Sequence, residues 1–126
     1  MKVVAFILIS VLAIVGFGIF SLNSVQASAQ ELTTHFNKLE QSIAKEDWEN
    51  SLKNLKQISL LWSKTKKSWL LYLDHQEIDN IDLTYIRLSK YVEAKDLSSA
   101  SAEVAALKLL IKHIPEILAF KLRNIF

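Results

Sequence analysis

The chain has 126 residues, 51% hydrophobic and 22% charged, with a formal net charge of +2; that length suits one domain and excludes a multidomain enzyme. Two glycines and one proline argue against a turn-rich sheet protein and against disorder, while the lack of cysteine removes disulfide frameworks, thiolate catalysis and cysteine-ligated zinc. A charge so near zero leaves no electrostatic footprint for nucleic acid, so no nucleic-acid partner is expected.

From Val3 to Leu22 the sequence reads VVAFILISVLAIVGFGIFSL, without a single charge. Twenty residues rising about 1.5 Å each make a helix of about 30 Å, the thickness of a bilayer hydrocarbon core. Residues 3–22 are therefore expected to engage a membrane. Lys2 is the only charge before the run and the next cation is Lys38. The positive-inside rule then puts the N-terminus in the cytoplasm and the rest of the chain outside it, at the cell membrane. Val25-Gln26-Ala27-Ser28-Ala29 also holds the small-x-small pattern of a signal-peptidase site, and a cut after Ala29 would release a secreted domain. Against cleavage, the apolar run exceeds the roughly 7–15 residues of a usual signal core. Residues 1–29 are thus an anchor or signal segment, with retention favoured, and residues 30–126 form an extracytoplasmic helical domain.

Leu32, Phe36, Leu39 and Ile43 make one apolar stripe on the first helix of that domain. Ser28 and Glu31 could box its start, but no glycine or proline separates it from the membrane segment, so one continuous helix is preferred. Asp47 predicts the N-cap of a second helix bearing Trp48, Leu52, Leu55, Ile58 and Trp62. The polar stretch Ser63–Ser68 reads as a turn. A third helix is expected from about Trp69 to Ala94, with Leu71, Ile78, Ile81, Tyr85, Leu88 and Val92 inward, although Asp74-x-x-Glu77 could also box a later start. Asp96 or Ser98 caps a fourth, carrying Val104, Leu107, Ile111, Ile114 and Leu118, with a kink expected at Pro115. A shift of 49 residues carries Leu32, Phe36, Leu39 and Ile43 onto Ile81, Tyr85, Leu88 and Val92, and Asp47 onto Asp96. A helical hairpin used twice and two unrelated amphipathic hairpins both fit that match. The fold class is all-α: an N-terminal transmembrane or signal helix, then a four-helix antiparallel bundle of two helical hairpins.

The stretch from Trp69 to Ile81, with His75-Gln-Glu77-Ile78-Asp79 at its centre, occurs here with His113-Ile114 and the ending Leu122-Arg123-Asn124-Ile125-Phe126. With the N-terminal membrane segment, these residues resemble a family of small bacterial proteins catalogued as domain of unknown function 4363, over nearly the whole chain. The resemblance implies a small, helical, membrane-anchored protein and carries over no activity.

His75, Asp79 and Asp82 fall within about 60° of one another on a helix, where His and carboxylate at i, i+4 can share a divalent cation. The same spacing also suits a hydrogen-bonded pair with no ligand. No glycine-rich phosphate loop, His-Glu-x-x-His or nucleophile elbow is present, so no enzyme activity and no cofactor are expected. Trp48, Leu55, Trp62 and Trp69 recur every seven residues and read first as core. If the helices run up and down from the membrane, however, the Ser63–Ser68 turn and the C-terminus share the membrane end. Trp62, Lys64, Lys66, Lys67, Trp69, Phe120, Lys121, Arg123 and Phe126 would then meet the headgroups, which favour aromatic rings and cations. The expected role is binding or scaffolding for another membrane or envelope protein, with the exposed faces of the second and fourth helices as the surface. The alternative is a sensor or carrier of a divalent ion or small ligand at the His75 cluster.

Overall fold

The computed structural model describes residues 1–125 and contains four helices: α1 (Lys2–Ala44), α2 (Trp48–Trp69), α3 (His75–Glu93) and α4 (Leu97–Ile125). Connections of three to five residues force each helix to fold back on the one before it. The four form a ring in which α1 packs on α2 and α4, and α3 packs on the same two. The chain is all-α among the described residues.

One helix of 43 residues joins the apolar segment to the bundle. No break falls at the 29/30 boundary, and Ser28 and Glu31 lie inside the helix rather than at its start. Gly16 faces open space, whereas Gly18 and Ser21 are buried, so α1 enters the bundle between Phe17 and Ser21. From there Val25, Ala29, Leu32, Phe36, Leu39 and Ile43 supply one wall of the core. Ile58 and Trp69 from α2, Ile81 and Leu88 from α3, and Val104, Leu107 and Ile111 from α4 complete it. Each large side chain so buried stabilises the fold by about 1.5–3 kcal/mol.

The turns after α1 and α3 are the same structure built twice. Glu46 and Lys95, 49 residues apart, both take left-handed backbone, with φ of 55° and 56°. The Glu46 amide donates to Ile43 O at 2.9 Å and the Lys95 amide to Val92 O at 3.0 Å. Asp47 Oδ1 then accepts from the Asn50 amide at 3.2 Å, and Asp96 Oδ1 from the Ser99 amide at 3.1 Å, each capping the next helix. The offset of the apolar stripes is thus matched in backbone geometry.

The second turn corrects the sequence reading. Residues 63–68 are helical, and α2 ends at Trp69; the turn is Leu70–Asp74 and α3 starts at His75. The reason is the face of each side chain. Thr65 is buried between Trp62 and Trp69 on the core stripe, while Lys64 and Lys67 face solvent and Lys66 reaches α3. A polar run at this point is the outer surface of a further helical turn. Leu71, expected inside, is 78% exposed. Asp74 takes the N-cap position of α3 with extended backbone but makes no side-chain cap bond. Helix α4 continues through Pro115, so its missing amide removes one hydrogen bond without ending the helix.

Candidate functional site

The α2–α3 turn and the C-terminal turns of α4 come together beside the apolar half of α1. The Tyr72 ring lies 6.1 Å from the Phe17 ring, tilted by 54°. Lys121 Nζ on α4 sits 2.8 Å from Asp74 Oδ2, tying α4 to the start of α3. Arg123 stacks its guanidinium 5.6 Å from the centre of the Phe120 ring. Around these contacts the surface is apolar: Leu71 is 78% exposed, Phe120 55% and Ile125 71%, with Leu70 partly exposed. Lys67 and Arg123 are exposed among them.

The residues expected at this end divide into two groups. Lys64, Lys67, Lys121 and Arg123 are at least partly exposed, with Lys121 held by Asp74. Trp62 and Trp69 are not on the surface: they are 6% and 0% exposed and pack edge to face with centroids 5.5 Å apart. Trp62 Nε1 donates to Asp82 Oδ1 at 2.7 Å, and Lys66 pairs with the other Asp82 oxygen, so Lys66 is also committed to the bundle. Phe126 lies outside the described residues. Leu70 and Tyr72 had no place in the sequence reading and Leu71 was expected inside, yet a signal was present. Trp69–Leu73 is five apolar residues in a row, more than one helical stripe can bury, and Asp74 follows at a capping position.

The His75, Asp79 and Asp82 set does not assemble. His75 and Asp79 project from the outer face of α3, whereas Asp82 points toward α2 and its two oxygens are taken by Trp62 and Lys66. Among the described residues no three His, Asp or Glu side chains gather as a metal site. A spread of about 60° on one helix straddles the edge of the α2 contact, which leaves His75 and Asp79 outside it and Asp82 within.

A second concave surface runs between α1 and α4. Small residues on facing positions, Ala29 and Ala105, leave an open groove of about 720 Å³, edged by Gln26, Gln30, Lys108 and Lys112. Lys108 Nζ bridges to Glu40 Oε1 across the two helices at 3.2 Å. Leu109, 54% exposed, stands at its border on α4, and Leu60, 68% exposed, stands on the outer face of α2.

No curated protein and no solved structure matches the chain. A family model does, over residues 19–125, a span that begins within the apolar run, at the turn of α1 that enters the bundle, and takes in all four helices. On that match the chain belongs to the family described as Domain of unknown function (DUF4363).

Proposed function

We propose that this protein is a non-catalytic binding or scaffolding module, held outside the cytoplasm by a retained single-pass anchor, for another membrane or envelope protein. The observation that carries the reading is the continuity of α1. Residues 3–20 form a helix long and apolar enough to cross a membrane, with a mean hydropathy of 2.9 over its most apolar window. The same helix then supplies Val25 and Ala29 to the bundle core. A cut after Ala29 would strip both of these side chains, and Ser21, out of a closed core. Retention keeps the core whole and fixes the bundle rigidly to the membrane helix. The α1–α4 groove, together with the exposed Leu60 and Leu109, supplies surface for a partner.

The chain has no cysteine, so a single Lys45→Cys substitution at the far end of the bundle gives a clean label site. Labelling of intact cells with a membrane-impermeant maleimide, followed by intact mass of the membrane-extracted protein, tests the reading. Label without lysis, on a protein that retains residues 3–29, is the expected result. An N-terminus at Gln30, or label appearing only after lysis, overturns it.

A further inference from the structure

We propose that the bundle is seated in the membrane interface, with the Leu70–Leu73 turn and the last two turns of α4 sunk into the adjoining leaflet. This deepens the anchor reading above and rests on it. The argument begins with length. Phe17 meets Tyr72 of the turn, so bundle structure already flanks one side of α1 at that level, while Phe17, Ile19 and Phe20 remain exposed. From Val3 to Phe17 the helix rises roughly 21 Å, at about 1.5 Å per residue. A hydrocarbon core is about 30 Å thick, which leaves roughly 9 Å to be spanned where α1 is no longer alone.

The side chains at that level suit the position. Leu70, Leu71, Phe120 and Ile125 are exposed to what would otherwise be water, at the one end of the bundle continuous with the apolar half of α1. Interfacial helices bury their apolar face about 5–10 Å deep, which brackets the missing length. Tyr72 is half-buried, the amphipathic ring favoured at headgroup level. Lys67, Lys121 and Arg123 stand at this end with Asp74 and, in the first turn of α3, Glu77; Lys121 is paired with Asp74, and the exposed cations Lys67 and Arg123 favour anionic headgroups. At the opposite end the α1–α2 and α3–α4 turns carry Lys45, Glu46, Asp47, Lys95 and Asp96, the composition of a fully hydrated surface. The tryptophans take no part in the seat, since both rings at this end lie in the core.

The test uses the full chain in equimolar phosphatidylcholine–phosphatidylglycerol vesicles, with a fluorophore on one introduced cysteine at a time. Leu71→Cys and Ile125→Cys probe the seat, Ile9→Cys the anchor and Lys45→Cys the far end; all four positions are exposed, so folding is preserved. Quenching by acyl-chain-brominated lipid is compared with quenching by aqueous iodide. The expected result is several-fold stronger lipid quenching at Leu71 and Ile125 than at Lys45, approaching that at Ile9. Labels at Leu71 and Ile125 that follow Lys45, while Ile9 is shielded, overturn the seating and leave the anchor standing. Iodide quenching at Ile9 as well rejects the anchor and the seating together.

Discussion

Replacing Asp82 separates a structural carboxylate from a ligand. In the native chain its two oxygens hold the buried Trp62 indole, at 2.7 Å, and the Lys66 ammonium. Asp82→Ala leaves the Trp62 donor without a partner in a ring only 6% exposed. Losing a hydrogen bond to a charged acceptor costs about 1.5–3 kcal/mol. The Lys66 pair adds little, since the two side chains are 38% and 30% exposed and screened pairs of this kind contribute about 0.2–1 kcal/mol. The total is about 2–4 kcal/mol, or roughly 6–24 °C in Tm at about 3–6 °C per kcal/mol for a domain of this size. Asp82→Asn keeps an acceptor for Trp62 and loses only the charge, so its cost is nearer 1 kcal/mol. Thermal melts of the full chain in mild detergent, followed by circular dichroism, read both values. Equal losses for the two variants would refute the orphaned-indole argument. So would a divalent ion that raises the Tm of the wild type but not of either variant, since that result restores Asp82 as a ligand.

Two further substitutions probe the bundle. Tyr85 donates its hydroxyl to Leu55 O at 2.7 Å, and burial pushes its pKa above the ordinary value near 10.0. Its stabilising contribution is therefore whole below pH 10.0 and is lost as pH rises through the elevated folded value. Tyr85→Phe should cost about 1 kcal/mol near neutral pH, and its Tm should converge with that of the wild type in alkali; a constant gap would contradict this. At the repeated turns, Asp47→Ala should cost roughly 0.5–2 kcal/mol as a lost cap, and Asp96→Ala should destabilise in the same sense. The Ser99 hydroxyl, and then its amide, hold the Asp96 carboxyl below its ordinary 3.8. That contribution is present above pH 3.8 and fades as pH falls through the lowered value, so Asp96→Ala should flatten the acid limb of a Tm–pH curve.

Local signals were legible wherever they did not depend on a partner. The apolar stripes of α1 and α4, the caps Asp47 and Asp96, and the 49-residue offset are all visible in the linear chain, and all recur in the structure. Spacing alone places a residue on a helical face, because 3.6 residues make a turn whatever lies alongside. The Ser63–Ser68 stretch shows where that ends. Its lysines look like a turn until Lys66 is given Asp82 and Thr65 is given a place in the core, and both assignments require α3.

The candidate site followed the same division. That the C-terminus and the α2–α3 connection share an end followed from counting helices, since antiparallel neighbours leave no other arrangement. Which side chains face outward there did not follow: Trp62 and Trp69 take the core place their spacing first suggests, and Leu71, expected inside, stands outside. By itself the sequence determined four helices, their apolar faces and a segment long enough to cross a membrane, because each is a property of periodicity or length. Only the tertiary structure decided that Asp82 belongs to Trp62 and Lys66, and that leucines form the exposed end. Those outcomes turn on which surfaces meet, and a contact between helices has no signature in either helix alone.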